Sequence, residues 1–219
     1  MLIPVSHGHL EAVLKEPDSP PRGAAVVCHP HPLFGGTMHT KAVFRAAQAL
    51  NEAGLVTVRF NFRGVGASTG SHDEGVGERD DARAALDWLE DRYPGLPLLA
   101  GGFSFGSLVA LAVGATDRRV QALLGLGLPI LRDERYDYSF LSEVRKPVLV
   151  VQGEDDEFGS GEQVAHALAS LGPHITLVRV PGSDHYFTDR VQELQGAVRG
   201  YFRGGPGSAS FTEMHHARS

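Results

Sequence analysis

The stretch Leu98-Leu-Ala-Gly-Gly102-Phe-Ser104-Phe-Gly106-Ser-Leu-Val-Ala-Leu-Ala-Val113 decides the fold. Its first residues form a continuous apolar run bounded by glycine, the pattern of a buried strand, and its last residues are an apolar helix. Between them stands Gly-x-Ser-x-Gly, a tight strand-to-helix turn that pushes the central serine into a sparsely populated backbone region. Cβ atoms on its neighbours would collide there, which is why Gly102 and Gly106 flank it and why Ser107 is small. The turn presents the Ser104 hydroxyl at the end of a strand and sets the Phe105 amide beside it, aimed where negative charge could develop.

Outward from this turn, short β-type runs alternate with segments whose apolar residues recur every three or four positions. An amphipathic opening spans His9 to Leu14, and strands are predicted at Gly23–Cys28, Leu55–Phe60, Leu96–Gly101, Val120–Leu126, Val148–Val151 and Ile175–Val180. Helices are predicted at His39–Ala53, Glu78–Arg92, Ser104–Ala115, Gln163–Leu171 and Thr188–Phe202. In the second of these, Ala85, Leu86, Trp88 and Leu89 mark the inward stripe, with arginines and aspartates outward. Strand–helix alternation of this kind builds an α/β fold, with a mostly parallel, doubly wound sheet of about seven or eight strands and helices on both faces. Leu126 to Lys146 leaves room for a loop and a turn or two of helix, but not for a lid domain.

A serine hydroxyl becomes a nucleophile at neutral pH only beside a base, and imidazole serves best when a carboxylate fixes its tautomer. Val148-Leu-Val-Val-Gln-Gly-Glu-Asp-Asp156 delivers acids past the C-terminal end of a strand, the edge where sites of open α/β sheets collect. Ile175 to Val180 runs into Pro-Gly-Ser-Asp-His185 and brings an imidazole to the same edge. The favoured set is therefore Ser104, Asp156 and His185. Asp155 is the competitor for the acid, while Asp184 and His166 have the character of surface-turn and helix residues.

The segment Cys28-His-Pro-His31-Pro-Leu33-Phe-Gly-Gly36 follows a strand and precedes a helix, where a second backbone N–H could meet an oxyanion. His31 is the first choice for that amide and Leu33 the second; Pro30 and Pro32 have no N–H but stiffen the turn. His29 and His31, two apart and with His39 nearby, suggest a metal, yet no convincing third and fourth ligand appears. Cys28 ends an apolar strand and is expected to be a small buried side chain. Arg63-Gly-Val-Gly-Ala-Ser-Thr-Gly70 lacks the Gly-Lys-Ser/Thr ending of a phosphate loop. It is expected to be a turn at the site rim, with Arg63 tied to local carboxylates or carbonyls, or else binding a substrate carboxylate.

Composition narrows the partners. The 20 basic and 26 acidic residues among 219 give a formal charge of -6 without a basic block, which disfavours nucleic acid. No apolar run approaches the roughly 18 residues of a membrane span. One cysteine, and an opening Met-Leu-Ile-Pro-Val-Ser-His without a basic and apolar leader pattern, fit a reduced cytoplasmic protein. One domain over residues 1–203 is expected, with 204–219 as a frayed tail and the chain a monomer or homodimer.

Together, Cys-His-Pro-His-Pro-Leu-Phe-Gly-Gly-Thr-Met, Arg-Gly-Val-Gly-Ala-Ser, Gly-Phe-Ser-Phe-Gly-Ser, Gly-Glu-Asp-Asp and Ser-Asp-His-Tyr-Phe resemble the small lidless α/β-hydrolases related to dienelactone hydrolases. The resemblance runs from about Gly8 to Phe202. It implies the α/β-hydrolase fold, Ser104, Asp156 and His185 as a catalytic triad, and esterase-like action on a small ester without a cofactor. Dienelactone hydrolases proper carry cysteine where this chain has Ser104, so their substrate does not transfer. Peptidase or thioesterase action with the same triad, and a non-catalytic hydrolase-like binding protein, are the rival readings.

Overall fold

The computed structural model describes residues 1–211. It contains one eight-stranded sheet: β1 (Leu2–Val5), β2 (Gly8–Lys15), β3 (Gly23–Cys28), β4 (Leu55–Phe60), β5 (Leu98–Phe103), β6 (Val120–Leu126), β7 (Val148–Gly153) and β8 (Ile175–Val180). Their spatial order is β1-β2-β4-β3-β5-β6-β7-β8. The β1–β2 and β2–β4 pairs are antiparallel, whereas β4 through β8 run parallel. The opening hairpin thus adds an antiparallel edge to a parallel sheet, and β1 is the strand that the sequence pattern did not single out.

Helices α1 (Lys41–Glu52), α2 (Val76–Arg92), α3 (Phe105–Thr116), α4 (Gly161–Leu168) and α5 (Val191–Arg203) connect or follow the parallel strands. Alternate strand residues supply the two faces. Ala24, Val26, Val148 and Val150 join the core under α2, α3 and α4. Ala25, Val27, Leu149 and Val151 join the core under α1 and α5. Burial on both faces explains why these strands read as unbroken apolar runs, each fully buried valine, leucine or phenylalanine contributing about 1.5–3 kcal/mol.

Several expectations shift in detail. Strand β5 begins and ends two residues later than predicted, because Gly102 pairs with Cys28 and Gly125, and Phe103 with Leu126, right up to Ser104. On α2, Asp81 is fully buried, against the expectation that its aspartates point to solvent, and Glu78 is fully buried as well. Each is held there by partners: Asp81 by Arg63, Glu78 by the amides of Asp73 and Gly75. The segment after β6 is a loop with one 3-10 turn, Ser139–Glu143, on which Leu141 is buried, as is Tyr138 just before it; no lid domain is inserted.

The expected tail is corrected in its first half. Pro206–Phe211 forms a 3-10 turn against α5, burying Gly207 and Phe211, with the Phe211 ring against Phe202. A Gly-Pro-Gly-Ser stretch looks unstructured by composition, but the phenylalanine that ends it has an apolar seat beside Gly23, where a Cβ would meet the ring at 2.5 Å. The remainder of that tail, 212–219, lies outside the described residues. Among the described residues no helix is long and apolar enough to cross a membrane.

Candidate active site

Ser104 sits between β5 and α3 with φ 56° and ψ −121°, a conformation costly for a residue bearing a Cβ. The surroundings enforce it. A Cβ on Gly102 would lie 2.1 Å from the Gly106 carbonyl oxygen, and one on Gly106 would lie 2.4 Å from that of His29. The Ser104 amide donates to the Leu126 carbonyl on the neighbouring strand at 2.9 Å, which locks the turn to the sheet. Ser107 Oγ donates to the Ser104 carbonyl at 2.6 Å and meets the buried Tyr138 hydroxyl at 2.9 Å.

Beyond β7 the chain turns so that Asp156 is buried while Asp155 is exposed. Beyond β8 it turns again, closed by a bond from the Thr188 amide to Asp184, and carries His185 inward. The three predicted residues are thereby brought together: His185 Nε2 lies 2.9 Å from Ser104 Oγ, and Nδ1 lies 2.8 Å from Asp156 Oδ2. An ionised carboxylate only accepts, so Nδ1 carries the proton and the Nε2 lone pair faces the serine hydroxyl. Ser104, His185 and Asp156 are 6%, 2% and 3% exposed, so the hydroxyl is barely open while the ion-bearing pair is shielded from competing water. Phe103, Phe158 and Tyr186 surround the imidazole at ring distances of 4.8–5.3 Å.

Asp156 has further partners that the sequence reading missed. The Phe158 amide donates to Oδ1 at 2.8 Å, and the Gln152 side-chain amide donates to Oδ2 at 2.7 Å. The signal was present: Gln152 is the one polar side chain in the run Val148-Leu-Val-Val-Gln.

The 29–36 segment lies across the serine from α3. His29 is fully buried and stitches two loops together: Nε2 accepts from the Phe62 amide at 3.0 Å, so Nδ1 donates to the Pro30 carbonyl at 2.6 Å. Both nitrogens are used within the protein, which removes His29 from any metal set. Burial pushes its imidazole down to about 4. Burial, and then the charges of His72 and Arg132, push His31 down to about 4 as well. The His31 Nδ1 accepts from the Leu33 amide at 3.3 Å, so Leu33 has a use for its N–H inside the loop. Neither the His31 nor the Phe105 amide has an acceptor among the described residues. Cys28 is fully buried, its thiol pushed up chiefly by burial.

Arg63 does not reach the site. Its amide and guanidinium are all turned to buried Asp81, at 2.8–3.1 Å, and it lines neither of the cavities described below. Of the two expectations for Arg63 the structure realises the tie to a local carboxylate, because the buried acid on α2 requires a partner. A cavity of about 220 Å³ opens over Ser104 and His185, walled by Pro30, Phe34, Phe158 and Tyr186, with Arg132 at its edge. On the other side of His31 a second, of about 250 Å³, is walled by Phe105, Leu108, Val109 and Tyr136.

An eight-stranded, mostly parallel sheet, a strained serine at a strand-to-helix turn and no inserted lid together define a lidless α/β-hydrolase. Residues 25–197 match the alpha/beta hydrolase domain family, and the chain belongs to it. It is similar to a structure of an alpha-beta serine hydrolase homologue from Coxiella burnetii: TM-score 0.84, 38% identity, covering 91% of this chain and 94% of that one. It is also similar to a serine hydrolase without lid from Xanthomonas campestris, at TM-score 0.83 and 37% identity, covering 93% of this chain and 92% of that one. An uncharacterized protein of Rickettsia prowazekii is 34% identical over 200 residues, 89% of this chain and 84% of its own.

Proposed function

We propose that this protein is a serine hydrolase that cleaves small carboxylic esters through an acyl-enzyme on Ser104. The observation that carries the reading is the unbroken line from Asp156 through His185 to Ser104, at 2.8 and 2.9 Å. In this reading Ser104 Oγ attacks the ester carbonyl as its proton passes to His185 Nε2. Asp156 holds the imidazole in the tautomer that can accept, and balances the imidazolium that results. The carbonyl electrons move onto oxygen, where the unengaged amides of His31 and Phe105 receive them. Return of the electron pair expels the alcohol, protonated by His185; water, deprotonated by the same imidazole, then releases the acid. Leu33 is the weaker oxyanion donor, since its N–H is bonded to His31. The small cavity and the absence of a lid favour short acyl groups over long chains.

The test is labelling with a fluorophosphonate probe alongside hydrolysis of short p-nitrophenyl esters. Wild type labels on Ser104 and turns over, whereas Ser104→Ala does neither. Undiminished hydrolysis by a folded Ser104→Ala protein would reject the assignment.

A further inference from the structure

Four charged residues stand where the loop after β6 meets the cavity over Ser104, and their pairing is uneven. Arg135 takes both carboxylates: its Nε lies 3.0 Å from Asp133, and a second nitrogen is bonded to Glu74. Arg132 takes none. Among the described residues no carboxylate lies within 4.0 Å of its guanidinium, and no side-chain or carbonyl acceptor is bonded to it. Glu157, the other acid beside the site, has its Oε2 on the His185 amide.

This unpaired cation is nonetheless held in place. The Arg132 guanidinium lies over two aromatic rings, 4.6 Å from the centroid of Phe34 and 5.4 Å from that of Phe158. These are the two phenylalanines that wall the cavity over Ser104 and His185. Arg132 lines that cavity, and also the wider opening outside it with Leu33, Phe34 and Tyr186. Arg79, which also has no carboxylate partner among the described residues, lines the cavity behind Phe105 instead. A guanidinium stacked on aromatic faces keeps its in-plane N–H donors free, and those donors match a carboxylate two at a time.

We propose that the ester cleaved at Ser104 carries a carboxylate, and that Arg132 receives it at the mouth of the cavity. This rests on the serine-hydrolase reading and adds the substrate class to it. A single negative charge is what the place accommodates: Asp133 and Glu74 line the same outer opening as Arg132, and a dianion would meet their repulsion. Arg132 touches the unreacting end of the substrate, so it determines which ester binds and takes no part in the proton transfers.

The experiment uses two matched pairs of esters on the full chain. In 4-acetoxybenzoate and methyl 4-acetoxybenzoate the charge sits on the leaving group; in monophenyl adipate and phenyl hexanoate it sits on the acyl chain. The reading is the ratio of kcat/KM, anionic over neutral, in wild type, Arg132→Gln and Arg132→Lys. Each ester is also tested as a competitor of fluorophosphonate labelling, so that one cleaved slowly still reports its binding. In at least one pair the ratio is expected to fall about tenfold in Arg132→Gln, to recover in part in Arg132→Lys, and to shrink with added salt in wild type. Loss of aromatic packing alone would lower both members of a pair together. Ratios unchanged by Arg132→Gln in both pairs, with Ser104 still labelled, overturn this inference and leave the serine hydrolase standing. A Ser104 that takes no label in wild type overturns both.

Discussion

Gln152 and His185 share one oxygen of Asp156: the Gln152 amide nitrogen donates at 2.7 Å to Oδ2, the same oxygen that the imidazole meets. The same nitrogen donates to the Gly159 carbonyl, and Oε1 accepts from the Leu128 amide at 2.7 Å. One buried side chain thus ties the loops after β6 and β7 to the acid between them. Gln152→Leu keeps the volume but leaves a buried N–H and C=O without partners, at about 1–3 kcal/mol of stability. It is expected to lower kcat more than it raises KM, because it lets the carboxylate drift without touching substrate. Urea unfolding and ester kinetics check both parts; wild-type values for the variant would deny Gln152 this positioning role.

The choice of acid is testable by a pair of substitutions. Asp156→Asn removes the charge that fixes the imidazole tautomer and should lower kcat by about 10³- to 10⁴-fold. Asp155→Asn alters an exposed turn and should leave kcat within about twofold. The reverse ranking would exchange their roles.

Acidification should weaken the fold through His29. Its imidazole is neutral when folded because burial pushes it down to about 4 from an ordinary 6.5, and Nε2 must accept from the Phe62 amide. Between those two values the unfolded chain binds the proton and the folded one does not, so stability falls as pH drops from about 6.5 towards 4. The full loss is roughly 3 kcal/mol. Unfolding free energies of wild type at pH 7, 5.5 and 4 should fall more steeply than those of His29→Asn. Equal slopes would show that other groups carry the acid sensitivity.

The Pro206–Phe211 turn should matter to stability and not to chemistry. Phe211→Ala empties a seat lined by Phe202 and the backbone at Gly23, at about 3 kcal/mol. The melting temperature should fall while ester kcat/KM, measured well below it, stays near wild type. An unchanged melting temperature would mean that the turn contributes nothing.

How far the sequence reaches is clearest at these same residues. Strands such as Gly23–Cys28 and Leu55–Phe60 were readable to the residue, because burial on both faces leaves a run that is apolar throughout in the first and interrupted only by Thr57 and Arg59 in the second. Ser104 was readable because only a turn this tight needs glycine on both sides. Composition misled at Asp81, an acid that lies inside, since an acid's partner need not be near it in sequence: Arg63 is 18 residues away. It misled again at Phe211, whose seat is made by residues on α5 and β3.

The chain by itself determined the order of strands and helices and the three side chains that arrive at strand ends, because periodicity and turn chemistry are local properties. Only the folded structure decided which of two adjacent aspartates turns inward, which loop amides are left unengaged, and which arginine is without a carboxylate. Those outcomes, the last of them for the arginine at the cavity mouth, Arg132, depend on distances between β6, β7, β8 and the 29–36 loop, and a distance between segments remote in sequence exists only once the sheet has assembled.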